Sequence, residues 1–201
     1  KGPLSSARNK LAASSSQANA FTTPTLFPAS SVRDNVVPQG TDFGYFGGGQ
    51  PVPDGLATVD RIDYSNDTVI ASRRGSLSVG RGSIGATGNS NFGYFAGGSP
   101  GPLSTVDRID YSNDTATAAV KGPLSAGRYF STATGNANFG YFSGKSGSSE
   151  VDRIDYSNDT AEAVVKGPLS SARYAMAATG NAGFGYFAGG APGTKSTVDR
   201  I

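Results

Sequence analysis

The groups in this chain that could do chemistry are carboxylates, and they come in copies. Asp60 and Asp63, Asp107 and Asp110, and Asp152 and Asp155 each stand in the phrase Val-Asp-Arg-Ile-Asp-Tyr-Ser-Asn-Asp-Thr, which also carries Asp67, Asp114 and Asp159. A carboxylate pair could serve glycoside hydrolysis, and a cluster of them could hold calcium. A catalytic pair should be singular, yet these are equivalent from copy to copy. A calcium loop needs converging oxygens with glycine at the bend, yet an arginine sits inside each pair and offers a countercharge instead. Structural Asp–Arg ion pairs are therefore expected, across strands and within or between repeats. They would use Asp60, Arg61, Asp107, Arg108, Asp152 and Arg153, with Arg81, Arg128 and Arg173 as partners between repeats.

Other catalytic chemistry has little to draw on. The chain has no His and no Cys, which excludes Ser-His-Asp triads, thiolate nucleophiles, disulfides and imidazole or thiolate metal sites. The Gly-rich turns do not open a helix, so a phosphate cradle is not expected. Neither an enzyme activity nor a cofactor nor a metal is anticipated. Asn66, Asn113 and Asn158 each begin an Asn-Asp-Thr triplet, an acceptor for glycosylation if the chain passes through a glycosylating pathway. The same residues are also good turn formers, because Asx side chains bond nearby backbone N–H groups.

What must position these groups is a repeat. Phe-Gly-Tyr-Phe occurs at 43–46, 92–95, 139–142 and 184–187, and the aspartate phrase follows it each time, beginning at 59, 106, 151 and 198. A period of about 45–49 residues means one supersecondary unit copied along the chain. The aromatics could stack on sugars or bases, but their recurrence in every unit favours packing between units. Phe43, Tyr45, Phe92, Tyr94, Phe139, Tyr141, Phe184 and Tyr186 are the residues expected to do this. The composition is rich in Gly and Ser and poor in helix-forming runs, which suits short strands and tight turns. Net charge is +2 with both signs interspersed, so no basic stripe invites nucleic acid. No apolar run is long enough to span a membrane, and no signal peptide is visible.

The third unit shows the pattern best. Strands are expected at 129–134, 139–143, 150–156 and 161–165, with turns at 135–138 and 157–159 and a Gly/Ser loop at 144–149. Within 150–156, Val151, Arg153 and Asp155 should face one way and Asp152, Ile154 and Tyr156 the other. Four strands joined by short turns make an antiparallel meander that cannot bury both its faces alone. The expected fold is all-β, with about three complete four-stranded units and parts of others.

This unit resembles the kelch repeat. The likeness lies in a hydrophobic strand ending in glycines (Gly47 to Gly49, Gly97 and Gly98, Gly189 and Gly190), then the Val…Asp-Tyr strand and a polar turn. Pro-Leu-Ser-x-x-Arg follows, at 3–8, 123–128 and 168–173. It covers nearly all of residues 43–201 and implies blades of a β-propeller. Three departures are plain: small aliphatics such as Val120 and Val165 stand where kelch strands carry Trp, Ser143-Gly144 replaces one glycine pair, and Ser76-Leu77…Arg81 lacks the proline. Copper-radical oxidases share the kelch-like fold but need His and Cys ligands. The wording is also similar to that of repeats in phage and environmental bacterial proteins.

Residues 1–8 match 166–173 letter for letter, and 9–21 read as a weak first strand and turn. Residues 22–42 have no counterpart, and their prolines suggest an irregular arm with an edge strand at Val36-Val37. The division expected is thus 1–42, a partial repeat and arm, and 43–201, the kelch-like repeats. The last phrase stops in mid-strand at Ile201. Two explanations stay open: a piece of a longer protein, or copies that complete each other's open sheet edge. Together these features suggest a structural or assembly protein, a subunit of an extracellular filament or virion fibre that self-associates through open edges. The alternative is a propeller module binding a protein or glycan on loops 50–57, 99–104, 145–149 and 191–196, which differ between units and share one rim.

Overall fold

The computed structural model describes residues 12–15, 43–49, 55–66 and 68–201. The proposed arm at 22–42, with Val36 and Val37, lies outside them, as does Asp67. The fold is all-β. Strands β1 (Ala12–Ser15), β2 (Phe43–Gly47), β3 (Thr58–Asp63) and β4 (Ser72–Ser76) form a first antiparallel sheet. A second contains β5 (Gly85–Gly88), β6 (Phe92–Ala96), β7 (Val106–Asp110) and β8 (Ala119–Lys121), and a third β9 (Thr132–Gly135), β10 (Phe139–Ser143), β11 (Val151–Asp155) and β12 (Val164–Lys166). The fourth has three described strands, β13 (Ala177–Gly180), β14 (Gly185–Ala188) and β15 (Val198–Arg200). Strand order follows chain order in every sheet, and the first strands β1, β5, β9 and β13 run side by side from sheet to sheet. The first sheet takes β1 from the 1–42 stretch and its other strands from 43–76.

The alternation of strand side chains sets what each face carries. In β2, β6, β10 and β14 the tyrosine stands opposite an arginine of the next strand, and the second phenylalanine opposite an aspartate: Tyr94 with Arg108, Phe95 with Asp107. With a side-chain period of two, tyrosine and second phenylalanine must leave on opposite faces. Tyr94 packs toward the third sheet with Phe142, Ile154 and Leu124, while Phe95 packs toward the first with Tyr45, Val59 and Leu77. Val151, Leu169, Met176 and Phe187 fill the third interface. The cores thus lie between sheets, not within one. At about 1.5–3 kcal/mol for each large apolar side chain taken out of water, they supply most of the stabilisation.

Three strands of the third unit differ from their expected bounds: the third runs Val151–Asp155 rather than 150–156, and the other two differ for local reasons. The fourth strand of the third unit begins at Val164 rather than 161 because Tyr156–Asn158 winds into a 3-10 turn and the Ala161 N–H returns to the Asn158 carbonyl. Its first strand begins at Thr132 rather than 129 because Phe130 sits at φ +57°, which breaks extended backbone. Ser83 and Ala175, also two residues after a buried arginine, share this left-handed geometry. Side-chain-bearing residues occupy it at a cost of roughly 1–2 kcal/mol. Among the described residues no helix is long and apolar enough to cross a membrane. Replacing exposed Ala175 by Gly relieves the left-handed strain, so a gain of up to about 1 kcal/mol is expected in urea unfolding, and Ala175→Val should lose stability.

Candidate functional site

The side chains that could do chemistry converge where one sheet meets the next. The Asp114 carboxylate, carried on the turn after Tyr111–Asn113 in the second sheet, accepts from two residues of the first and pairs electrostatically with a third. The Tyr45 hydroxyl donates at 2.9 Å and Arg61 Nη1 at 2.8 Å, both to Oδ2, and Arg74 Nε lies at 3.5 Å. One unit on, Asp159 accepts from Tyr94 at 2.9 Å, Arg108 at 2.8 Å and Lys121 at 3.2 Å. The backbone joins in: the Gly75 N–H donates to the Asp114 carbonyl at 2.8 Å and the Gly122 N–H to that of Asp159 at 2.9 Å. Both glycines are obligatory, because a Cβ at either would collide with the backbone of the facing turn.

Rings complete the junction. Tyr45 stacks on Tyr111 with centroids 4.7 Å apart, and Tyr94 on Tyr156 at 4.6 Å. The first phenylalanine of each phrase has a further task, although Phe43 and Phe92 also pack against the cores between sheets. Phe43, Phe92, Phe139 and Phe184 lie beneath the guanidinium groups of Arg61, Arg108, Arg153 and Arg200 at 4.0–4.7 Å, a cation–π contact that aims each arginine. Tyr141 and Tyr186 are half-buried, and Phe184 is exposed.

A second set of ion pairs stays inside each unit. Arg81 Nη2 meets Asp107 at 3.0 Å and Arg128 Nη2 meets Asp152 at 2.6 Å, with all four side chains fully buried, and Arg173 holds Asp199. These guanidinium groups also donate to carbonyls of their own sheet, Arg81 to Phe95 and Arg173 to Gly189 and Thr197. Only the arginine backbone crosses between units, where the Arg81 and Arg128 carbonyls accept from Gly49 and Gly98. Arg81, Arg128 and Arg173 thus bind within units, while Arg61 and Arg108 bind across them to aspartates of the turn. Asp60 is fully buried opposite Phe46. Arg153 has no ion pair with any described residue.

Asn66, Asn113 and Asn158 are all exposed on the 3-10 turns. The Thr68 hydroxyl donates to Asn66 Oδ1 at 3.0 Å. Each turn is held by the aspartate before it: Asp63, Asp110 and Asp155 accept from the N–H and hydroxyl of Ser65, Ser112 and Ser157. The serine hydroxyl is the main reason these three carboxyls lie below the ordinary aspartate range. Burial, reinforced by the Asp114 and Asp159 carboxylates, pushes the Tyr45 and Tyr94 phenols well above theirs. Burial also pulls the Arg81 guanidinium down against the opposing pull of Asp107.

Such an arrangement fixes one sheet on another. Sequence reasoning passed over Asp114 and Asp159 as acceptors, Tyr111 and Tyr156 as stacking partners, and the buried Phe95, Phe142 and Phe187. The available signal was that the tyrosine and third aspartate of the phrase recur with the same fidelity as the Asp-Arg pair. No family model matches the chain, and no curated protein matches it in sequence.

Removing a buried carboxylate strands its donors. Asp159→Ala is expected to cost about 3–5 kcal/mol in urea unfolding, whereas Asp110→Ala, at an exposed turn, should cost about 0.5–2 kcal/mol. The raised phenols set an alkaline limit. Their contribution is complete below the unfolded tyrosine value of about 10 and is lost as pH climbs through the higher folded values. Melting temperature should therefore fall above about pH 10, together with the rise of phenolate absorbance, and the double variant Tyr45→Phe, Tyr94→Phe should flatten that fall.

Proposed function

We propose that this chain is a non-enzymatic structural or assembly protein whose sheets stack as kelch-like propeller blades, serving in an extracellular filament or a virion fibre. One observation carries the reading: the second sheet meets the first with one face and the third with the other, through equivalent contacts. One face offers tyrosine, arginine and glycine donors, and the other offers a tyrosine-bearing turn with its aspartate, as the Tyr45/Arg61/Gly75 and Tyr111/Asp114 contacts illustrate. Such faces are directional, and head-to-tail contacts close into rings or run on as filaments. Nearly every described aspartate of the units is engaged in holding the fold. Sugar on the exposed Asn66, Asn113 and Asn158 would suit an extracellular surface and would appear as added mass.

The second reading, a module binding a protein or glycan, rests on the loops between second and third strands, where a constant framework carries differing residues. Negative-stain microscopy combined with sedimentation separates the two. Filaments or closed rings growing with concentration, with a regular rise, are the expected result. Particles that stay single at every concentration would replace assembly by the binding module.

A further inference from the structure

The units differ from one another mainly at one end of the sheets. One end carries the 3-10 turns, which read Tyr-Ser-Asn in the first three sheets alike. Because the strands alternate in direction, the opposite end carries the loops between second and third strands, together with the residues that follow each buried arginine. There the copies diverge: Gly82-Ser83, Tyr129-Phe130 and Tyr174-Ala175 fill equivalent positions. The fold draws these positions and the differing loops into one patch. Ser131 donates its N–H to the Ser83 carbonyl at 3.1 Å and Ala175 donates to that of Phe130 at 3.3 Å, which sets the post-arginine residues in a row across neighbouring units. Ser99 bridges to Gly82 and Ala191 to Tyr174, and a Cβ on Gly144 would collide with the Phe130 carbonyl. Three rings gather here: Tyr129 meets Phe130 edge to face with centroids 5.4 Å apart, and Phe130 meets Tyr174 tilted at 5.5 Å. Tyr129 is exposed and the other two are half-buried. Phe130 sits at φ +57°, a left-handed conformation that Ser83 and Ala175 adopt with far smaller side chains. Bulky residues are uncommon there, and backbone strain of this kind gathers at ligand-holding sites.

We infer that Tyr129, Phe130 and Tyr174 form an aromatic platform that binds a carbohydrate chain by stacking on the faces of its pyranose rings. The surroundings select this occupant. A sugar ring offers an apolar C–H face to an aromatic ring and hydroxyls around its rim, so it fits rings set beside neutral hydrogen-bonding groups. The flanking loops supply them: 99–104, 145–149 and 191–196 consist of Ser, Thr, Gly, Pro, Ala, Leu and two lysines, with no carboxylate. Tyrosine among serine and glycine is also the combination by which binding loops join rigid contact area to adaptable polar contacts. Nucleic acid would need a basic stripe, yet Arg81, Arg128 and Arg173 are engaged inside the sheets. A protein interface needs a wider apolar centre than three partly covered rings provide. The platform is singular, since Gly82-Ser83 carries no ring, as a binding site is and a copied structural contact is not. This deepens the second reading, the binding module, and rests on it; self-assembly is untouched by it.

Saturation-transfer NMR of the 201-residue chain with cellohexaose, chitohexaose and a galacturonate hexamer tests the platform. Saturable binding of at least one is expected, and it should persist at about 1 M salt, where charge attraction is screened within about 3 Å. Affinity should fall at least about tenfold in the double variant Tyr129→Ala, Tyr174→Ala. The pair Tyr129→Phe, Tyr174→Phe keeps the rings and should retain most of it. Tyr64→Ala, at an exposed tyrosine of the constant end, should change nothing. If the alanine pair unfolds, Tyr129→Ala alone, at the most exposed ring, carries the same test. No sugar bound, binding abolished by salt, or binding indifferent to both tyrosines would each overturn the platform. The outcomes also separate it from the reading beneath it. A sugar held without regard to the two tyrosines removes the site and leaves the binding module standing, and a protein ligand held while every sugar is ignored does the same.

Discussion

A carboxylate held between two sheets is the constraint on which the arrangement turns. Burial of apolar surface brings the sheets together, but it has no direction and would tolerate sliding. Asp114 and Asp159 remove that freedom, because their oxygens must meet a phenol, a guanidinium and a second cation that arrive from separate strands of the neighbouring sheet. Ion pairs taken out of water add little net stability, and breaking one is costly. Their effect is therefore to penalise every registration but one. The cation–π contact beneath each arginine and the close glycine–carbonyl bond beside it lower the freedom of the donors before the aspartate arrives.

The buried arginines solve a different problem. Arg81 and Arg128 follow the fourth strand of one sheet and precede the first strand of the next, where the chain crosses between layers. Their carbonyls take the glycine N–H of the sheet being left, and their guanidinium groups take the aspartate and a carbonyl of the sheet being entered. One residue thereby satisfies polar groups on both sides of a passage that has no ladder of its own. The left-handed residues two positions later turn the chain into the new strand.

Much of the fold was legible because strand alternation and turn chemistry are local. Phe139–Ser143 was placed at its true bounds, and the turn was expected at Ser157-Asn158-Asp159, one residue late of the 3-10 winding that begins at Tyr156. The fourth strand was misplaced by three residues since nothing in Ala-Glu-Ala says that the turn before it is a closed 3-10 winding. The site was read only by half. Asp-Arg adjacency in sequence suggested adjacency in space, but neighbours in a strand point to opposite faces, so Asp107 pairs within its own unit while Arg108 pairs across to the next. What decided Arg108's partner was Asp159, 51 residues away, and a distance of that kind is set by how sheets stack, which no local pattern encodes.

The strands β7 and β11 are the same five residues, Val-Asp-Arg-Ile-Asp. Side chains therefore cannot tell β6 which of them to pair with. Discrimination falls to the tether: β7 follows across residues 97–105, while β11 lies beyond an intervening stretch about six times longer. By loop-closure entropy that difference favours the near copy by only about 1.5 kcal/mol. A chain written in near-duplicate thus finds its correct partners by proximity along itself, and slow emergence from a ribosome, one unit at a time, would sharpen a choice that a diluted denatured chain makes poorly.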